Sequence, residues 1–571
     1  MYHILLMEFQ AVGEPIGEPV NEPVNKLLAG RIMSAMKVLL INPYYPLTEM
    51  PSPPLGLAYV AAAFERAGAE VQVLDLVVES YCRNKLERLL MTFQPELVGA
   101  TCVTMSFDAA VKVLNDAKEA RPEITTLLGG PHVSYRAKET LEECPALDIA
   151  VLGEGEVTVA ELMTAFGANG LDADLSGIAG LAFRQGSSVC ITTARPHLQD
   201  VNRLAEPARK MLPMGRYRAL GLAVSMITSR GCPFQCIFCV GRKMSGAKVR
   251  YRDPVAVVDE LAHLHALGFK QINIADDLFT AKKKHCFAIC DEIIARGIDV
   301  RWTAFSRANT ISPELLARLK RAGCVQLSFG FESANEDILK TVQKRIDRET
   351  MLAAVEMCQA AGMSAQASFI YGLPGESQQT MRETAEFSRR INAMGTTAGI
   401  HLLAPFPGTL VREHADRYRL RILTDDWSQY TANTAIVETP DADRHSLERD
   451  VKALQDLVLQ QFEDIRNRVE AGVATEEEVD RYQDLDRLGI YYELMMQDLL
   501  DRSYPTKCVT DPTCVLTEMV DRVAEQVSYP PDRIRAVLNH GLEQCFFAYT
   551  VGKNSVRWFW KEPIAARGGA T

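Results

Sequence analysis

The stretch SRGCPFQCIFCVG, residues 229 to 241, holds Cys232, Cys236 and Cys239 in a C-x3-C-x2-C pattern. Three thiols this close together are a ligand set for a soft metal centre, one ligand short of a closed tetrahedral site. Structural zinc takes four ligands, commonly as two spaced pairs, and the next histidine, His263, falls inside a predicted helix. A zinc reading therefore needs a distant fourth ligand. A cubane iron-sulfur cluster is satisfied by thiolates at three corners, which leaves its fourth iron open. A small molecule carrying an amine and a carboxylate could chelate that iron. Gly231 and Pro233 help the loop bend back, and Phe238 offers an apolar cover.

Further polar residues recur at the ends of predicted strands. Asp276 and Asp277 close INIADD, Ser306 and Arg307 follow VRWTAF, Glu332 and Ser333 end VQLSFGFES, and the next two strands end in YGLPG and PFPG. Before these strands, helical segments end on Gly268, Gly297, Gly323, Gly362 and Gly395. Each glycine suits the left-handed position that closes a helix. Asp253 and Pro254 supply an N-cap and a first turn for one helix. With LAVSMITS ahead of the cysteines, six parallel strands wound one way make a partial or complete (β/α) barrel, whose chemistry belongs at the carboxyl ends of its strands. Polar residues aligned on one rim read as a site rather than scattered charge.

Upstream, MKVLLIN, VQVLDL, ELVGATCV, TTLLGG and DIAVLGEGE alternate with helical segments such as LAYVAAAFERAG. Apolar runs without alternation suit parallel strands buried on both faces, and the order predicts a doubly wound, Rossmann-like sheet. No G-x-G-x-x-G follows its first strand, which disfavours a nicotinamide-type dinucleotide. Gly129, Gly130 and His132 in GGPH serve either a close ligand approach or a tight turn with a capping histidine. GEPIGEPVNEPVN, within the first 35 residues, reads as an extended tail or an upstream extension.

The chain of 571 residues is long enough for several domains. Its net charge of -11 argues against a general affinity for nucleic acid. It shows no apolar run long enough to span a bilayer and no cleavable leader, so a cytoplasmic enzyme with reduced thiols is expected.

With an aromatic residue before the third cysteine, and with IADDLFT, FGFESANEDILKTVQK, FIYGLPGES and APFPGT following in order, residues 216 to 420 resemble the radical S-adenosylmethionine (SAM) enzymes. The resemblance implies a 4Fe-4S cluster on Cys232, Cys236 and Cys239, with SAM on the open iron. It places Asp276 and Asp277 near the SAM amine, Glu332 near the ribose and Lys344 near the carboxylate, with Ser306, Arg307 and Ser368 also lining the cofactor. It implies a 5'-deoxyadenosyl radical and a reducing electron donor such as flavodoxin or ferredoxin. NPYYPLTEMPSPPLGLAYVAAAFE, LLGGPHVS and VLGEGE further resemble the cobalamin-binding domain of a large subgroup of that family. By that resemblance Pro54, Gly56, Thr104, Ser106, Gly130, His132 and Glu154 lie near the corrinoid or its nucleotide tail. No D-x-H-x-x-G occurs, so no protein histidine is expected beneath cobalt, as is common in the subgroup. Methylthiotransferases share the layout but bring three more cluster cysteines, and Cys82, Cys102 and Cys144 are too scattered to match.

Past residue 424, Leu447, Val451, Leu454, Val458, Phe462, Ile465 and Val469 mark an amphipathic helix, followed by further helical pattern. A helical domain packing over the barrel mouth or an edge is expected. Cys508, Cys514 and Cys545 read as buried thiols; Cys286 and Cys290, with His263 and His265, read as core packing rather than metal ligands. VRWFWKEP either plugs a groove or meets an apolar substrate. The expected layout is an extension (1–35), a Rossmann-like cobalamin-binding domain (36–170), a linker (171–215), a partial (β/α)6 barrel (216–424) and a helical C-terminal domain (425–571). The expected reaction is methyl transfer to an unactivated carbon of a small-molecule, natural-product or lipid-type substrate. Cyclisation, ring rearrangement or oxygen insertion would use the same parts, and a non-catalytic corrinoid or SAM sensor is the reading from another class.

Overall fold

Val38 to Asn42 are all buried in strand β1 (Lys37–Asn42), the pattern of a strand covered on both faces. The computed structural model describes residues 35–44, 46, 51–506 and 511–563, so the expected extension lies almost wholly outside it, and Cys508 entirely so. Strand β1 belongs to a seven-stranded sheet with β2 (Glu70–Asp75), β3 (Leu97–Thr101), β4 (Thr125–Gly129), β5 (Ile149–Val151), β6 (Leu181–Gln185) and β7 (Ser188–Ile191), ordered β2-β1-β3-β4-β5-β6-β7. The first five are parallel, and the order reverses between β1 and β3. Ligands of such sheets bind in the crevice at that reversal, outside the strands' carboxyl ends. Strands β6 and β7 form an antiparallel hairpin that extends the sheet, inside the segment expected to be a linker. They turn at Gly186, φ +63, and β7 is half-exposed, so the apolar run that marks the other strands is missing.

The second sheet starts at β8 (Val224–Met226). After β8 a short antiparallel pair, β9 (Ser229–Arg230) and β10 (Arg250–Tyr251), brackets the cysteine loop. Strands β11 (Ile272–Ile274), β12 (Trp302–Ser306), β13 (Cys324–Glu332), β14 (Ser364–Tyr371) and β15 (Thr397–Leu402) complete six parallel strands in the order β15-β14-β13-β12-β11-β8. Edges β8 and β15 do not pair, so the barrel is open. On its outer side Val224, Ile272, Trp302 and Leu327 are buried beneath the helices. On its inner side Ser225, Asn273, Thr303 and Gln326 stand in one register row, a polar layer across the lumen.

Past β15 a strap of chain carries the antiparallel pair β16 (Arg421–Ile422) and β17 (Val437–Glu438). The C-terminal region then holds helices Arg444–Glu470, Glu476–Met496, Pro512–Ala524 and Pro531–Glu543. Of the expected apolar stripe, Leu447, Val451 and Ile465 are buried. The region is not all helical: β18 (Ser503–Pro505), β19 (Phe547–Val551) and β20 (Ser555–Trp560) form an antiparallel sheet ordered β18-β20-β19. The aromatic tail is β20, and Val556 and Trp558 alternate into the core, so it is a structural strand and not a groove plug. The region meets the barrel at β15 and beside the start of β8 and β11, where Leu222 and Phe269 face Leu488, His540 and Phe546. Cys286 and Cys290 are core residues as expected, whereas Cys545 is exposed and Cys514 is disulfide-bonded. His263 and His265 point to solvent from helix Pro254–Ala266 and pack in no core. Among the described residues no helix is long and apolar enough to cross a membrane.

Candidate active site

The chain enters the cysteine loop under the control of Asp276. This carboxylate is 2% exposed and accepts four hydrogen bonds, at Oδ1 from the backbone N–H groups of Thr228 (2.6 Å) and Ser229 (3.1 Å), and at Oδ2 from their hydroxyls (2.6 and 2.7 Å). Burial pushes its pKa up, and these four donors pull it back. A carboxylate offers about four lone-pair sites, so Asp276 has none left for an amine. It anchors the strand that delivers the loop. Asp277 does face the loop: its Oδ2 accepts from Gly231 N at 3.1 Å.

Each loop sulfur meets an N–H group. Gly241 N lies 3.3 Å from Cys239 Sγ, Arg307 Nη1 lies 3.7 Å from Cys236 Sγ, and Phe234 N–H bonds Cys232. Burial pushes the Cys239 thiol up to about 11 and raises Cys232 as well. Among the described residues no three Cys, His, Asp or Glu side chains close around a single ion. Three thiols without a fourth protein ligand are the donor set of a cubane with one open iron.

The loop's far side is held by a segment whose role the sequence did not reveal. Ile237 N donates to Val342 O and Ile237 O accepts from Val411 N, both at 3.2 Å. Phe238, half-buried, packs on this side with Leu410 and Val411. After Val342 the chain passes through Gln343 and Arg345, which are left-handed without being glycine (φ 58° and 56°). Such conformations are retained where surrounding contacts over-determine them. Between them Lys344 O accepts from Arg307 Nη2, and Lys344 Nζ bonds Glu332 Oε1 at 2.6 Å. Glu332 is also left-handed, φ 69°, and both partners are 6% exposed. The pair lies over Gly330, where a Cβ would stand 2.3 Å from Glu332 Oε1. Glu332 and Lys344, expected near the SAM ribose and carboxylate, are thus paired with each other in this structure. Ser306 is turned to Thr280, Oγ to Oγ1 2.7 Å, and is buried, while Ser368 stands half-buried on β14 in register with Gly330.

Between the doubly wound sheet and the start of the barrel lies a cavity of about 340 Å³. Gly56, Gly129, Gly130, Gly153 and Glu154 line one wall, and Ser229, Arg230 and Asp277 line the other. Gly130 has φ +107°, and a Cβ there would stand 2.3 Å from Cys102 O, so only glycine lets the ends of β3 and β4 meet. A Cβ at Gly56 or Gly153 would meet nothing within 4 Å, so any larger side chain would intrude on open space. Pro54 is the N-cap of the helix carrying Gly56 and does not itself line the cavity.

Four expected corrinoid neighbours also have partners within the protein. Glu154 accepts from Arg250 Nη1 (2.9 Å) and Nη2 (2.7 Å), Arg230 Nη1 (3.4 Å) and Leu198 N (3.0 Å). Burial raises its pKa, but the two arginines and these bonds hold it below the usual carboxylate range. Its side chain is a strut between sheet and barrel. Thr104, Ser106 and His132 are buried outside the cavity lining. His132 Nδ1 lies 3.3 Å from Thr104 Oγ1, its ring stacks on Phe107, and the strap residue Trp427 meets it edge-on at 4.9 Å. Burial first, then Arg136 and Arg412, push His132 down to about 4. The GGPH ambiguity resolves into its two halves: the glycines line a cavity and the histidine is packing. Among the described lining residues there is no histidine.

Comparison with known proteins agrees with this geometry. The Radical SAM superfamily model matches residues 226–388, and the B12 binding domain model matches residues 48–163. The chain is 34% identical over 406 residues to the uncharacterized methyltransferase PH0819 of Pyrococcus horikoshii, covering 70% of this chain and 87% of that protein. It is 30% identical over 426 residues to the anaerobic magnesium-protoporphyrin IX monomethyl ester cyclase of Rubrivivax gelatinosus, covering 72% and 75%. The solved structure of TsrM, a radical SAM methyltransferase from Kitasatospora setae with cobalamin and a [4Fe-4S] cluster bound, superposes with a TM-score of 0.61 at 21% identity, covering 71% and 84%. The chain belongs to the cobalamin-binding radical SAM enzymes. Its cofactors are a 4Fe-4S cluster, SAM and cobalamin, and the N–H-supported thiols and glycine-lined cavity fit them.

Proposed function

We propose that this enzyme methylates an unactivated carbon of a neutral small-molecule, natural-product or lipid-type substrate held in the barrel lumen. The observation that carries the proposal is a shared wall: Asp277 both lines the glycine-rich cavity and holds Gly231 at the start of the cysteine loop. Cobalamin held at the cavity and SAM held at the loop would therefore share one barrel mouth. Bound together, these groups supply hydrogen abstraction and a transferable methyl group. Cys232, Cys236 and Cys239 would hold the cluster, Asp277, Glu332, Lys344 and Ser368 would contact SAM, and Gly56 and Gly130 would leave room for the corrinoid.

Neutrality of the substrate is supported by the lumen. Gln366 Oε1 accepts from Gln326 Nε2 (2.9 Å) and Ser328 Oγ (3.0 Å), which fixes the carboxamide with its N–H donors directed elsewhere. Phe305, 46% exposed, stands in register with Ser328 as an apolar wall. A buried charged substrate group would need a charged partner, and Ser225, Asn273, Thr303, Gln326 and Gln366 are uncharged, His401 being the titratable side chain on β15 in the same inward phase. A cyclisation without methyl transfer is the second reading, favoured by the cyclase relative. Either reaction draws electrons from a reducing donor such as flavodoxin or ferredoxin, in the cytoplasm.

Anaerobic reconstitution is expected to give about four irons per chain, and Cys232→Ala to abolish 5'-deoxyadenosine formation. Methyl-labelled SAM with a neutral candidate substrate should place label in the product. Turnover that yields 5'-deoxyadenosine and an unlabelled, cyclised product would overturn the methyl-transfer reading.

A further inference from the structure

Arg307 is 6% exposed at the end of β12, and among the described residues it has no carboxylate partner. A buried, unpaired guanidinium is costly unless an anionic centre faces it. Its surroundings fix its aim. Nη2 donates to Lys344 O, the guanidinium carbon lies 3.7 Å from the Phe234 ring centroid, and Nη1 points at Cys236 Sγ from 3.7 Å. Nε has no partner. Stacking on an aromatic face while donating in a rigid fork is a geometry arginine can hold and lysine cannot.

We infer that Arg307 is a positioning residue that holds the Cys236 thiolate and favours uptake of the electron by the cluster. The step is a one-electron reduction in which the external low-potential donor is oxidised, the cluster is reduced, and no bond forms or breaks. A fixed cation beside a ligand sulfur stabilises the more negative, reduced state, because hydrogen bonds to the sulfurs and net charge set cluster potentials. Phe234 is the second part of the device, since its ring keeps the guanidinium on the sulfur. The inference rests on the cluster assignment and not on the fate of the methyl group.

The test uses the full-length reconstituted enzyme, without substrate, and compares wild type with Arg307→Gln, Arg307→Lys and Phe234→Leu. Iron content and the midpoint potential are read by EPR-monitored potentiometry. At equal iron content Arg307→Gln should lower the reduced-to-oxidised ratio about tenfold at a given potential, a shift of about 59 mV for one electron. Arg307→Lys should recover part of that shift, and Phe234→Leu should show a smaller shift of the same sign. An iron-replete Arg307→Gln with the wild-type midpoint overturns the inference. If Arg307→Gln takes up no iron, an unshifted Phe234→Leu midpoint overturns it instead. Because substrate is absent, failure here is distinct from failure of the methyl-transfer reading.

Discussion

Glu376, in YGLPGES, shows how one buried group leaves a signature in the stability of the whole chain. It is 1% exposed, and burial pushes its pKa up to about 8, against the pull of hydrogen bonds from Thr380 and the Gly372 N–H. Its Oε2 has no partner, so ionisation would leave a buried charge without a donor. Because the folded pKa lies above the ordinary 4.5, the native state binds the extra proton between those values. Stability is therefore full below about pH 4.5 and falls as pH rises toward 8. Glu376→Gln cannot ionise, so it should flatten this profile and be more stable than wild type above pH 8, by on the order of 5 kcal/mol. Urea unfolding at pH 5 and pH 8.5 checks this. Parallel profiles for the two proteins would mean that Glu376 is ionised in the fold.

At the scale of elements, Gly408 in the PFPG loop joins three parts of the site. Its φ is +84°, and a Cβ there would stand 2.5 Å from the Tyr135 ring on helix Pro131–Glu143. Lys243, on the short helix after the cysteine loop, donates to Gly408 O at 2.5 Å. Gly408→Ala adds a clash to a left-handed backbone, and a cost of about 3 kcal/mol is expected. In a Tyr135→Ala background only the backbone term, roughly 1 kcal/mol, should remain. A double-mutant cycle of thermal melts reads the difference, and equal costs in both backgrounds would show that the ring is not what excludes a side chain. The strands and glycine-ended helices around this junction were legible because they follow from local periodicity and left-handed stops. So was the rim of polar residues, since strand ends alone place them. What stayed hidden was partnership: that Asp276 is saturated, that Glu332 takes Lys344, and that His132 lies under Trp427. A strand end fixes where a side chain starts, and tertiary packing fixes what it meets. Strands β6 and β20 were missed for a related reason, since a half-exposed hairpin and an aromatic tail declare themselves only against their neighbours.

At the scale of the molecule, two latches hold the cobalamin-binding sheet against the barrel. In one, Glu154 binds Arg250 and Arg230, whose side chains are 3% and 13% exposed; its removal leaves the buried Arg250 without a carboxylate, while Arg230 keeps Glu156 at 2.6 Å. In the other, Trp427 covers His132 while Arg136 and Arg412 lie over its ring at 5.7 and 4.7 Å. Losing a buried charge partner or a large aromatic each costs about 3–5 kcal/mol, comparable with the net stability of a domain, 5–15 kcal/mol. The latches are far apart in sequence and share no partner, so their costs should add. Calorimetry of the Glu154→Ala, Trp427→Ala double variant should resolve two transitions where wild type shows one. Cobalamin at about 100 times its dissociation constant stabilises a single site by about 2.7 kcal/mol. In wild type that gain should raise the one transition, and in the double variant it should raise only the transition of the sheet domain. A double variant that still melts in one transition, moved as a whole by cobalamin, would show that the halves cohere through the continuous barrel core and that the latches only orient them.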